Sequence, residues 1–146
     1  MKKLNRKEIE KLIPHRAPML LVERILGWEK DAWLEAEVRF AAESMFFQGH
    51  FPAMPLLPGV VMVEALAQAA ACLTSLSKGA GAGEIVYLFS AIESVRFKAP
   101  LRPGDVLFMR VEPTFEKLGM LGFKGEGRVN DVVAVTATFT AKMQRK

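Results

Sequence analysis

Residues 51–77 constrain the fold more than any other part of the chain, because their only charged residue is Glu64. Pro58 suits a first helical turn, and the Lys-Gly pair that follows Ser77 is a typical helix end. We therefore predict a helix from about Pro58 to Ser77, and this helix is apolar almost all round. Such a helix must be buried on most sides, so the rest of the chain has to wrap around it.

Alternating and mixed apolar patterns predict strands on both sides of this helix. In residues 31–40, DAWLEAEVRF, apolar side chains alternate with Glu35, Glu37 and Arg39, which is typical of a strand with one face in water. We also predict a short helix at 7–12 and further strands at 18–28, 85–97, 105–116, 119–129 and 132–143. These elements predict an α+β fold, in which a curled antiparallel sheet of five to six strands wraps around one long central helix.

No linker, repeat or low-complexity tract divides the chain, so we expect one domain over residues 1–146. The basic N-terminus lacks the apolar stretch of a signal peptide, and the prolines, Glu64 and Gln68 argue against a membrane span at residues 53–77. The single cysteine, Cys72, is interpreted as a small buried hydrophobe that suits a reducing compartment. A cytoplasmic protein is expected.

The net charge of +4 favours anionic partners. Nucleic acid is one such class, but no run of Lys and Arg exceeds two residues and no nucleic-acid-binding motif occurs. An acidic protein partner fits the basic balance as well. The sequence contains no cluster of metal ligands and no nucleotide-binding loop, so we expect neither a metal nor a cofactor.

Glu64 is the first candidate functional residue, because a carboxylate in an apolar setting must be paired, hydrogen-bonded or protonated. Gln68 follows four residues later on the same helix stripe, where its amide could bond that carboxylate. One interpretation is a structural Glu–Gln pair or a glutamate that reaches solvent. The other is a general acid whose proton is retained by desolvation.

His50 is the second candidate, since histidine is the side chain best suited to accept a proton near neutral pH. A structural role in its loop is the alternative, and for His15 we favour a structural role. Pro58 and Gly59 open the predicted helix, where free N–H groups and the helix dipole can stabilise an oxyanion. The alternative for this pair is a simple turn.

The segment GHFPAMPLLPGVVMVEALAQ (residues 49–68) resembles the signature of the β-hydroxyacyl-acyl carrier protein dehydratases of fatty-acid synthesis, which have the hotdog fold. Three more segments resemble the same family: LIPHRAPMLLVERI (12–25), VRFKAPLRPGDVL (95–107) and GEGRVNDVVAVTATF (125–139). The resemblance thus covers nearly the whole chain.

This resemblance implies that His50 is the catalytic base and that Glu64 is the acid, each site taking its acid from the neighbouring subunit of a homodimer. It further implies that the Gly59 N–H binds the thioester carbonyl and that Gln68 supports the acid. A trimer of dimers is common in the family. The implied partner is acyl carrier protein, which is acidic, and Arg96, Lys98 and Arg102 are candidates for docking it.

Some residues depart from the family pattern. Ala91 and Glu93 stand where Gly and Asp are frequent, and Met45 stands where Pro is common. These departures leave room for a specialised paralogue. A related dehydratase-isomerase group carries Asp at the acid position, so Glu64 favours dehydration without isomerisation. A hotdog thioesterase and a non-catalytic acyl-binding subunit remain the alternative functions.

Overall fold

In the computed structural model, which describes residues 3–145, one long helix packs on a six-stranded antiparallel sheet. The helices are α1 (Arg6–Glu10) and α2 (Gly59–Lys78), with a short 3₁₀ turn at Met45–Phe47. The strands are β1 (Arg24–Glu29), β2 (Trp33–Arg39), β3 (Ile85–Phe97), β4 (Val106–Lys117), β5 (Met120–Val129) and β6 (Val132–Arg145). The strand order is β1-β2-β4-β5-β6-β3, so β1 and β3 form the two edges of the sheet.

The helix α2 lies within one residue of the predicted bounds at each end. Its C-cap residue is Gly79, whose φ of 66° is a left-handed conformation that favours glycine. By length and composition α2 could cross a bilayer, but 67 % of its most apolar window is buried inside the protein, where it packs on β2, β4, β5 and β6. The predicted fold class, a sheet around a central helix, is confirmed.

Alternation in the strands places one face of the sheet on α2. In β2, the predicted apolar positions Leu34, Ala36 and Val38 are buried. Burying a side chain the size of leucine or valine contributes roughly 1.5–3 kcal/mol to folding. Cys72, also fully buried, has a thiol pKa that burial raises to about 12, so it stays protonated and unreactive.

The predicted strand at 18–28 is wrong in its first half, because β1 begins only at Arg24. The reason is a side chain of α2. The Leu21 N–H donates to Gln68 Oε1 at 2.7 Å, and the Met19 carbonyl accepts from Gln68 Nε2 at 2.9 Å. These backbone groups are satisfied by the helix, so this segment crosses α2 as an irregular strap instead of joining the sheet.

The strand β3 pairs with β6 on one side only and carries a row of exposed apolar side chains. Leu88, Phe89, Ile92 and Phe97 are each between 42 % and 53 % exposed. An edge of thirteen residues with this composition is a template for pairing with another chain.

Candidate active site

His50 is held by its own loop. Its backbone carbonyl accepts from the Leu56 N–H at 2.8 Å, and its ring stacks on Phe51 with the centroids 4.2 Å apart. The ring Nδ1 lies 3.0 Å from the Leu56 carbonyl oxygen. A carbonyl only accepts, so this contact requires a proton on Nδ1. In the neutral ring, Nε2 is then the atom with a free lone pair, which is the arrangement that a general base needs.

A cavity of about 480 Å³ brings His50 together with Gly59 at the amino end of α2. The N-cap residue Pro58 provides no side-chain cap, and its carbonyl accepts from the Val61 N–H at 3.0 Å, so the N–H groups of Gly59 and Val60 are left for another acceptor. The cavity also contains Phe97 and Lys98 from the end of β3 and the residues after it. The structure thus places the predicted base beside the predicted oxyanion site.

Glu64 and Gln68 are also in contact, as their spacing predicts. Gln68 Nε2 donates to Glu64 Oε2 at 2.7 Å. The orientation of this amide is determined by the backbone, because Gln68 Oε1 accepts from Leu21 and Nε2 also donates to Met19. Since Glu64 Oε2 serves as the acceptor, a proton carried by this carboxyl group is favoured on Oε1.

We predict that Gln68→Leu lowers the free energy of unfolding by about 2–4 kcal/mol, because it leaves buried polar groups at Met19 and Leu21 without partners. Gln68 is only 1 % exposed, so water cannot replace the lost hydrogen bonds. Urea unfolding followed by circular dichroism measures the change. Gln144→Leu, at an exposed position of β6, is the control, and equal stabilities of the two variants would contradict this role for Gln68.

His15, for which the sequence favours a structural role, lies at Glu64: its Nε2 is 3.7 Å from Glu64 Oε2. Burial lowers the pKa of His15; Glu64 opposes this shift and Arg16 adds to it. The imidazole is therefore mainly neutral at neutral pH and does not neutralise the carboxyl group as a cation would. Within residues 3–145 its buried Nδ1 has no hydrogen-bond partner. No local sequence pattern predicts this contact, because His15, which precedes the strap, is distant from Glu64 in the sequence.

The structure does not bring His50 and Glu64 into one cavity. Glu64 lines a separate space of about 140 Å³ with His15, Gln68 and Tyr87. Five residues of helix rotate the side-chain direction by about 140°, so Gly59 and Glu64 face different sides of α2. The predicted base and oxyanion site therefore form one candidate half-site, and the predicted acid and its supporting amide form another, in separate cavities of one chain.

The family model of the FabA-like domain matches residues 13–138. The 3-hydroxyacyl-[acyl-carrier-protein] dehydratase FabZ of Sodalis glossinidius (strain morsitans) is 42 % identical over 143 residues, which cover 98 % of this chain and 95 % of that protein. FabZ of Pectobacterium atrosepticum is 41 % identical with the same coverage of both chains.

Two solved structures are similar in fold. The dehydratase heterocomplex ApeI:P from Xenorhabdus doucetiae matches with a TM-score of 0.81 and 21 % identity over 94 % of this chain and 91 % of that chain. The E. coli PaaI protein from the phenylacetic acid degradation operon matches with a TM-score of 0.62 and 14 % identity over 81 % and 80 % of the two chains. These structural likenesses confirm the predicted hotdog fold. The match to the family model and the identity to the sequence relatives show that the chain belongs to the FabA-like family and, within it, to the FabZ dehydratases.

Proposed function

We propose that this protein is a hydro-lyase of fatty-acid biosynthesis, which converts 3-hydroxyacyl thioesters on acyl carrier protein into trans-2-enoyl thioesters. The observation that carries the proposal is the orientation of His50, whose Nδ1 lies on the Leu56 carbonyl and leaves Nε2 available, beside the amino end of α2, which no side chain caps. A base next to an oxyanion site is what abstraction of a proton from the carbon next to a thioester carbonyl requires.

In the proposed reaction, the thioester oxygen accepts a hydrogen bond from the Gly59 N–H, which makes the C2 hydrogen more acidic. His50 Nε2 takes that proton, and the electron pair forms the C2–C3 double bond. The partner subunit's Glu64 donates a proton from Oε1 to the C3 hydroxyl group, which leaves as water. Gln68 holds the acid in place through Oε2.

The edge strand β3 supports a homodimer that completes the site. The cavity of Glu64 is lined by Tyr87, Leu88 and Phe89 near the start of β3, whereas the cavity of His50 reaches Phe97 at its end. Two antiparallel β3 strands related by a twofold axis place the start of one strand opposite the end of the other. Such a dimer sets the His50 of one chain against the partner subunit's Glu64. Three such dimers would form the hexamer common in the family.

The test is incubation of the purified protein with 3-hydroxybutyryl-acyl carrier protein, followed by mass spectrometry of the carrier-bound product. We expect a loss of water with the thioester intact. Release of free thiol would instead identify a thioesterase, and binding without turnover would identify an acyl-binding subunit. Either of these results would overturn the proposal. We also propose a cytoplasmic location, and we expect cell fractionation to recover the activity apart from the membranes, since the apolar helix α2 is used inside the fold.

For the carrier protein we propose a docking patch of Arg96, Lys98 and Arg102. All three are exposed, and among residues 3–145 none is in an ion pair with a carboxylate of its own chain. Lys98 also lines the cavity of His50, so a carrier bound there presents its thioester directly to the base.

Lys98→Glu is expected to raise KM for carrier-bound substrate by about tenfold, because an interface charge is reversed against an acidic partner. The kcat value and the KM for the N-acetylcysteamine thioester should change little. Steady-state assays on both substrates at two salt concentrations measure this. Lys30→Glu, in the exposed turn after β1, is the control; equal effects of the two variants would remove Lys98 from the patch.

A further inference from the structure

The ring of Phe97 lies directly on the amino end of α2. A Cβ atom added to Gly59 would lie 2.6 Å from Phe97 Cε1 and 2.8 Å from Cδ1, closer than carbon atoms can approach. The ring is nevertheless 53 % exposed, and it lines the same cavity as His50 and Gly59. It therefore has contact with the helix end and access to the space in which a substrate would lie.

Backbone conformation does not explain the glycine. Gly59 lacks the positive φ that favours glycine, unlike Gly49 and Gly79, whose φ values are 78° and 66°. Alanine is well tolerated in the first turn of a helix and is generally the better helix former. What a methyl group at position 59 would meet is the ring of Phe97, so the side-chain contact accounts for the residue.

The position of the ring matters for the N–H groups beside it. The first N–H groups of a helix point out of its amino end without intrahelical acceptors, and no side chain caps this end of α2. A hydrogen bond donated by such a group is stronger where an apolar wall keeps water away than where the group is fully solvated. Phe97 supplies such a wall, because its ring is in contact with this end of the helix.

We propose that Phe97 is a positioning residue of the active site, and that the glycine at position 59 is needed to admit its ring. The ring shields the Gly59 N–H from water and forms a wall for the thioester end of the substrate, so that the carbonyl oxygen is held on that N–H. This proposal rests on the proposed function, since it assigns Phe97 to the oxyanion half-site of the same reaction.

The experiment compares Gly59→Ala, Phe97→Leu, the double variant and Phe97→Tyr, with the wild-type enzyme assayed beside them. Gly59→Ala and Phe97→Leu should each lower kcat by about tenfold or more, a share of the 10²–10³ typical for loss of a whole oxyanion donor. The KM value should change less than kcat. The double variant should be no slower than the slower single variant, because both changes remove one contact. Phe97→Tyr keeps the ring and should keep kcat.

Phe115→Leu is the matched control. Phe115 is also an aromatic residue about half exposed, and its ring also lies against a glycine, Gly122, but it lines a different cavity. Its replacement should leave kcat unchanged. If the wild-type enzyme is active and Phe97→Leu has the same kcat, the proposed role of Phe97 is overturned. It is also overturned if the losses in kcat of the two single variants multiply in the double variant.

Amide hydrogen exchange at Gly59, measured by NMR, tests the shielding without turnover. Phe97→Leu should accelerate exchange of the Gly59 N–H, whereas Phe97→Tyr and Phe115→Leu should not. An unchanged exchange rate in Phe97→Leu would overturn the proposal whatever the activity. If the Gly59 N–H exchange rates follow these expectations but the wild-type protein dehydrates no thioester, the proposed function is overturned. The catalytic role of the Phe97 ring is then overturned with it.

Discussion

Glu64→Gln should reduce kcat for dehydration by about 10²–10⁴-fold, the contribution typical of a general acid, while the protein stays folded. The amide has nearly the shape of the carboxyl group, and its oxygen can still accept from Gln68 Nε2, as Glu64 Oε2 does at 2.7 Å. It has no acidic proton to give to the departing hydroxyl group. The variant therefore separates acid chemistry from structure, and kcat on 3-hydroxyacyl-acyl carrier protein with Tm from calorimetry measures both.

The outcome discriminates between the two interpretations of this glutamate. A Tm near that of the wild type with turnover abolished fits the acid, whereas an unfolded variant fits the structural Glu–Gln pair. Retained turnover would show that Glu64 is not the acid. Glu126→Gln is the control, because Glu126 on β5 is also a half-exposed carboxylate, hydrogen-bonded to Arg128 rather than near either half-site.

The central helix and the sheet could be predicted because burial leaves a direct pattern in the sequence. A helix with no polar face has to be enclosed, and the alternation at Leu34, Ala36 and Val38 identifies the face that encloses it. The segment before Arg24 was wrongly predicted for a physical reason. Its backbone groups at Leu21 and Met19 bond to Gln68, which lies 47 and 49 residues further along the sequence, respectively. No local pattern reveals such a long-range pairing.

The site could be predicted in part. The four-residue spacing of Glu64 and Gln68 indicated their contact, since such residues are neighbours on a helix. Three features could not be predicted: the proton on His50 Nδ1, the approach of His15 to Glu64 and the ring of Phe97 on Gly59. Each depends on where a loop, strap or strand end lies relative to α2, which is determined by tertiary packing.

The largest effect of all is expected when two inactive variants are combined. His50→Ala lacks the proposed base and Glu64→Gln lacks the proposed acid, so the homodimer of either variant should be almost inactive. In a mixed dimer, the Glu64→Gln chain still supplies His50 and the His50→Ala chain still supplies Glu64. If each site is shared between subunits, one of the two sites in that dimer is complete.

Equal amounts of the two variants are combined by joint refolding or co-expression, and random assembly makes half of the dimers mixed. A twofold-symmetric dimer has two equivalent shared sites, of which one is complete in each mixed dimer. The mixture should therefore have about a quarter of the wild-type activity. His50→Ala co-assembled with the double variant His50→Ala/Glu64→Gln is the control and should stay inactive, since neither chain brings the base. A pair of His50 and Glu64 acting within one chain predicts no recovery, because no chain in the mixture carries both residues. Recovery therefore requires two half-sites to meet across subunits, as the separate cavities of His50 and Glu64 lead us to expect.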